Sequence, residues 1–438
     1  MKRESRLFSC SLNQNILFIL MLNYFIFIRK HIFKIIYEKN GILKMDYKEK
    51  MLLCDGKEYN GIKNYKSHVK GMGSFYIIFE NAVNVEYDQY LGASHLIEHC
   101  MCEQIKKYES DFKIAGISFN ADTGMTKVRF YITGLDEGIQ KFRKLFYNEI
   151  INYDITEEVF NREKSIVMQE YNDAISSPHG TFFENVYRKY FNTTLPGGDL
   201  KSLKALTYVD FIKFKNCYFG YPTYICNTSS SKIKYKDGEY ITIKRNYNLI
   251  DKTEEAKRGN KLKTIKGTIS KTSSIIGYFN KFEFDKNDLR KYAYYEILAN
   301  YMGHGLTSPL YNELREKTGH VYSISCYNDT IYEQKNASFN IIINVDPNFV
   351  DEIKEKLLKC IDYYFHNFNE NNFNSSVKGV KNEILRTNYL KFSFTNSFTE
   401  KLMDYIKDFN FDFEEFKFYA LQLIKDKKNY ILIDDKHI

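Results

Sequence analysis

Five consecutive residues, His95-Leu96-Ile97-Glu98-His99, constrain this chain more than any other stretch. On a helix the two histidines, four positions apart, project from one face and can grip a single divalent metal. Glu98 follows His95 by three positions and precedes His99 by one, so its carboxylate reaches the rim of the same site. The order His-x-x-Glu-His reverses the commoner zinc-protease order His-Glu-x-x-His. Ser94 stands just before the pentad as a candidate N-cap that would start the helix there. The competing reading is a chance pattern on a helix face, which is uncommon in a chain with nine histidines.

At 438 residues the chain is long for one ordinary core and points to two domains or more. Hydrophobic content of 44% with 27% charged residues is that of a globular protein. The net charge of +8 comes from scattered lysines with no long basic run flanked by aromatics, which argues against a nucleic-acid partner. Eight cysteines, at 10, 54, 100, 102, 217, 226, 326 and 360, show no Cys-x-x-Cys spacing. That removes support for a zinc ribbon or a redox motif and fits a reducing, cytoplasmic setting. Cys100 and Cys102 would project from faces other than the histidine face, as packed thiols.

Residues 1–44 differ from the rest. Lys2, Arg3 and Arg6 precede the apolar run Ile16 to Ile28, and Arg29, Lys30 and Lys34 follow it. Thirteen residues is short for a membrane span. Three readings compete: a signal-anchor with membrane association through residues 16–28, an N-terminal helix packed on the domain, or translated upstream sequence with the true start at Met45. The last is favoured.

Downstream, Ser74 to Phe79 reads as a buried strand and Val128 to Ile132 as another. Leu135 to Ile150 reads as a helix. Thr156-Glu157-Glu158 opens a further helix, with a cap residue and acids in the first turn. Glu163 and Glu170 lie on it seven apart, two turns along one face, where paired glutamates ordinarily face solvent. Leu203 to Tyr218 reads as one amphipathic helix, and Thr223 to Thr228 as the strand closing the first unit. The domain pattern is 1–44 extension, 45–235 first domain, 236–265 linker and 266–438 second domain. In the last, a strand from Ser274, a helix from Asp288 and a strand from Ala337 to Val345 repeat the earlier order, an internal duplication without a second pentad.

Together these residues resemble the pitrilysin (insulinase) family of zinc peptidases, which includes the mitochondrial processing peptidases. The resemblance runs from about Met51 to near the C-terminus. It implies an α+β fold of two homologous α/β sandwich units, each a mainly antiparallel sheet packed with helices. It implies that His95 and His99 are Zn2+ ligands, that Glu170 is the third, that Glu98 is the catalytic carboxylate and that Glu163 is an auxiliary acid. Asn120-Ala121 resembles the pair that begins the family's substrate-binding strand edge. Arg315 and Tyr322 resemble the second-domain pair that meets substrate across the cleft. His179, His304 and His320 are then not ligands. Seventy residues separate His99 from Glu170, a few fewer than the family usually shows, through a shortened connection before Asn120.

The activity implied is zinc-dependent endoproteolysis of short or unfolded peptides in a closed chamber. Half-length members close that chamber by pairing two chains, so a homodimer or a heterodimer with a related chain is implied. Maturation of one dedicated precursor peptide is a narrower form of the same reading. The rival is a non-catalytic subunit assembling with an active partner. Such subunits usually lose a ligand or the base, and here His95, Glu98, His99 and Glu170 are all present.

Overall fold

The computed structural model describes residues 56–58, 61–67, 69–189, 193–231, 239–245, 273–283, 285, 287–331, 336–390, 398–425 and 430–434. The extension 1–44, its apolar run, Met45 and most of 236–265 lie outside them.

A short strand β1 (Gly56–Glu58) precedes β2 (Ile62–Lys66) and β3 (Met72–Phe79). Every residue of β3 from Gly73 to Phe79 is buried, so both of its faces carry apolar side chains as a central strand requires. After it come α1 (Ala93–Lys106), α2 (Glu109–Ile114), β4 (Ile117–Thr123) and β5 (Val128–Leu135). Helices α3 (Asp136–Ile151), α4 (Glu157–Ser176), α5 (Pro178–Lys189), α6 (Leu200–Ala205) and α7 (Tyr208–Tyr218) lead to β6 (Tyr224–Ser229). The sheet order is β2-β6-β3-β5-β4, with β2 parallel to β6 and the other pairs antiparallel. Phe75 and Phe79 turn to the helical side, where Phe75 meets Phe146 of α3 edge-on with ring centroids 6.5 Å apart.

The segment read as a single helix from Leu203 to Tyr218 is two helices. Leu206 is buried between them, and the Thr207 hydroxyl accepts from the Asp210 N–H, which starts α7 afresh. Part of the stretch read as linker is also structured. Strand β7 (Ile243–Arg245) pairs antiparallel with β1, and buried Tyr240 sits 5.5 Å from Phe75 and 4.9 Å from Tyr147 by ring centroid. The Tyr147 hydroxyl donates to the Ile241 carbonyl at 2.8 Å, anchoring this stretch to α3.

The second sheet uses β8 (Ser274–Glu283), β9 (Val321–Ile331), β10 (Asn336–Val345) and β11 (Tyr430–Asp434) in the order β11-β8-β10-β9, antiparallel throughout. Between β8 and β9 lie α8 (Leu289–Gly303) and a π-helical turn, Tyr311–Glu316. Helices α9 (Val350–His366), α10 (Glu370–Leu390), α11 (Phe398–Asp408) and α12 (Phe413–Lys425) follow β10. The order β6-β3-β5-β4 in the first sheet matches β11-β8-β10-β9 in the second, and in both halves helices follow the first of these strands and again follow the hairpin. The fold is therefore two copies of one mainly antiparallel, helix-packed unit.

Helix α5 departs from this bookkeeping by halves. It follows α4 in the first half, yet Phe182 and Val186 bury against Ile275, Phe279 and Ile342 of the second sheet. The Tyr187 hydroxyl donates to Asp329 on β9 at 2.8 Å. Among the described residues no helix is long and apolar enough to cross a membrane.

Candidate metal and active site

The pentad lies on α1, whose other faces bury Leu96, Ile97, Cys100, Met101 and Ile105. Ser94 is not the cap. Gly92 takes the capping position in the left-handed region at φ 94°, and Ser94 is already inside the helix, with its hydroxyl buried. The start of α1 is held instead by Glu86, fully buried, which accepts from the Gly92 N–H at 2.9 Å and the Ser94 N–H at 2.7 Å. A carboxylate there satisfies two orphan donors and sits at the positive end of the helix dipole.

Helix α4 packs beside α1, capped by Thr156 as the sequence indicates. It brings Glu170 Oε2 to 3.3 Å from His99 Nε2 and 3.7 Å from His95 Nε2. Among the described residues His95, His99 and Glu170 are the one group whose donor atoms could hold a metal, all within 4.8 Å of one another. Donors of a tetrahedral zinc ion at about 2.1 Å stand about 3.4 Å apart, which the two Glu170 separations bracket. Two nitrogens and one oxygen are also the donor set that zinc takes in sites with an open fourth position. The residues therefore fit a zinc ion. Burial, aided by neighbouring His99, pushes His95 down to about 4, so its imidazole is neutral with a lone pair to give.

Glu98 lies at the rim, where the Thr123 hydroxyl at the end of β4 donates to its Oε2 at 2.5 Å. Burial raises the Glu98 carboxyl above its ordinary value; the Thr123 hydrogen bond and His99 act in the opposite sense. Nothing in the sequence marks Thr123, because the contact joins positions 25 apart across the helix–sheet interface.

Glu163 stands in a different place from an acid working in a cleft. It is 2% exposed, with Oε2 3.4 Å from His99 Nδ1 and Oε1 accepting from Arg162 Nε at 3.0 Å. Arg162 in turn donates to Glu103 of α1. Asn120 and Ala121 lie on β4, the edge strand of the first sheet, and the Asn120 side chain accepts from the Ala121 N–H at 2.9 Å.

Arg315 and Tyr322 adjoin one another in the second half: an Arg315 Nη donates to the Tyr322 carbonyl at 2.7 Å, while the Tyr322 side chain is 77% exposed. Neither hydrogen-bonds or ion-pairs with the histidine–glutamate cluster. Cys100 and Cys102 lie on α1 itself, where burial pushes both thiols up.

The second half carries a degenerate counterpart. Asn328 on β9 donates to Glu296 on α8 at 3.1 Å, as Thr123 on β4 donates to Glu98 on α1. The sheet rows Thr123–Val128–Phe79 and Asn328–Phe339–Asn280 then correspond, which places Ala293 and Ile297 where the first half has His95 and His99. Both imidazoles are replaced by apolar side chains there.

The comparisons with known proteins divide along the same line. The family model described as Insulinase (Peptidase family M16) matches residues 84–200, and the one described as Peptidase M16 inactive domain matches residues 225–380. This chain belongs to peptidase family M16. It is similar to a protein of Rickettsia bellii described as an uncharacterized zinc protease, 23% identical over 259 residues, which are 55% of this chain and 61% of that one. A Rickettsia felis protein of the same description is 24% identical over 260 residues, 55% of this chain and 60% of that one. The chain thus spans about three fifths of the length of the curated relatives it matches. Among solved structures, a protease from Helicobacter pylori superposes with a TM-score of 0.66 at 15% identity, over 87% of this chain and 99% of that one. Pitrilysin superposes with a TM-score of 0.58 at 12% identity, over 87% of this chain and 44% of its own. The two superpositions show a fold shared with those structures.

Proposed function

We propose that the chain is a zinc-dependent endopeptidase that cleaves short or unfolded peptides. One observation carries this reading: the donor atoms of His95, His99 and Glu170 converge within 4.8 Å, and the Glu98 carboxyl is near enough to interact electrostatically with His99 and Glu170. Zinc held there supplies Lewis acidity, which makes water acidic enough to deprotonate near neutral pH. Glu98 takes the proton of the attacking water and returns it to the leaving amine. Its burial favours proton uptake, and the Thr123 hydroxyl keeps its Oε2 in place. Glu163 fixes His99 from behind through Nδ1.

Substrate adds as an extra strand along β4 past Asn120 and Ala121, where backbone hydrogen bonds bind with little sequence demand. The β4 edge ends at Thr123, beside the base, so a peptide laid along it runs toward Glu98. Arg315 and Tyr322 belong to this proposal as donors that reach substrate when the halves close on it. A second chain, either another copy or a related one, completes the chamber.

The alternative, a non-catalytic partner subunit, is disfavoured by the retention of His95, Glu98, His99 and Glu170. The deciding experiment measures zinc content and hydrolysis of a quenched fluorescent peptide library for the wild type and Glu98→Gln. Wild-type turnover that vanishes in the variant supports the peptidase. Zinc-loaded wild type that cleaves nothing, alone or with its co-purifying chain, favours the subunit.

A further inference from the structure

Glu170 is the most exposed of the three metal donors, its side chain 49% accessible against 22% and 18% for His95 and His99. The part of α4 that carries it has no core anchor, since no residue from Met168 to Ser177 is buried. Something other than apolar packing must fix where Glu170 stands.

A polar chain begins at the next residue. The Tyr171 hydroxyl donates to Glu184 Oε1 on α5 at 3.0 Å, and Arg188, one turn further along α5, donates to the same oxygen. Arg188 also reaches Asp199 Oδ2 at 3.2 Å and the Gly198 carbonyl at 3.3 Å. Gly198, at φ 76°, is seated on Gly92: a Cβ added to it would lie 2.2 Å from the nitrogen and Cα of Gly92. Gly92 immediately precedes α1 and stands three residues before His95. The chain therefore runs without a break from the neighbour of one metal donor to the helix start that bears the other two.

We infer that Glu184 and Arg188 are positioning residues for the metal site, setting the gap between α4 and the start of α1 and so the distance from Glu170 to the two histidines. Glu184 is 7% exposed and its Oε2 is buried without a hydrogen-bond partner among the described residues. Apolar residues of similar size hold helices together at least as well as a partly buried ion pair with one carboxylate oxygen unsatisfied, so stability alone does not explain this one. What it provides is a fixed length. The base of the clamp is firm because Phe182 and Val186, on the opposite face of α5, are docked on the second sheet and Tyr187 donates to Asp329 there.

The inference rests on the zinc reading, and its test separates the two. Zinc affinity is measured by chelator competition for the full-length wild type, Tyr171→Phe, Arg188→Gln and, as a control, Tyr208→Phe. Tyr208 likewise donates from a part-buried hydroxyl, to the Ile155 carbonyl at 2.7 Å, but lies outside the clamp. Circular dichroism and thermal melts accompany each titration. Zinc binding about tenfold to a hundredfold weaker is expected in the two clamp variants, the range seen when outer-shell partners are removed, with Tyr208→Phe unchanged. Tyr171→Phe deletes one hydroxyl and keeps the test open if Arg188→Gln fails to fold. Wild-type zinc affinity in a clamp variant whose melting point has fallen overturns the inference and leaves the zinc site standing. A wild type that takes up no zinc overturns the zinc reading, and the inference with it.

Discussion

Glu163 lies 3.4 Å from the Nδ1 of His99, while Glu170 faces the Nε2 of the same ring at 3.3 Å. Carboxylates face both ring nitrogens; zinc in the donor cluster would take the Nε2 lone pair and leave the ring proton on Nδ1, facing Glu163. The Nε2 lone pair is then directed at the donor cluster. The seven-residue spacing of two glutamates on α4 thus puts one acid beside each nitrogen of His99.

Replacing Glu163 by Gln keeps the shape but removes the charge behind His99. Zinc affinity should fall about tenfold to a hundredfold while the circular dichroism spectrum is retained. Chelator competition checks this, and an unchanged dissociation constant would falsify the positioning role.

Glu170→Ala deletes the oxygen donor from an exposed helix face, so the fold should tolerate it. Elemental analysis should find about one zinc per wild-type chain and well under half of that in the variant after dialysis. Full occupancy in Glu170→Ala would exclude Glu170 as a ligand.

Glu98→Gln should retain zinc and lose about two to four orders of magnitude in kcat, because only the proton acceptor is removed. Thr123→Val, which deletes the hydroxyl donor to Glu98, should lower kcat by less. Peptide hydrolysis under single-turnover conditions measures both. Wild-type rates in the Gln variant rule out Glu98 as the base.

Arg315 holds the Tyr322 carbonyl at the start of β9, and the Tyr322 ring projects into solvent. Tyr322→Phe should lower kcat by roughly tenfold to a thousandfold with little change in KM, if its hydroxyl donates to the oxyanion. Arg315→Ala should act more on KM, through the substrate backbone. Full activity in both variants would remove the second half from the reaction.

Much of the site is legible in the sequence because it depends on helical periodicity. His95 and His99 share a face since four residues span about one turn, and Glu163 and Glu170 share one since seven span about two. Thr156 marks the start of α4 by a local hydrogen bond, and the unbroken apolar run in β3 announces a central strand. Residues that act across sequence separation leave no such mark. Glu86, Thr123 and Arg188 are ordinary polar residues until the chain folds.

The sequence alone therefore determines the chemistry on offer: two imidazoles, three carboxylates and the helices that array them, each set by interactions within a few residues. Tertiary structure decides which of those groups meet. Docking of α1 on α4 separates Glu170, which shares the donor cluster, from Glu163, which is buried behind it. Pairing of β4 into the sheet edge brings Thr123 to Glu98, and the crossing of α5 onto the second sheet ties the halves together. Those are long-range contacts, stabilised by burial and steric fit summed over many residues, and no local pattern encodes them.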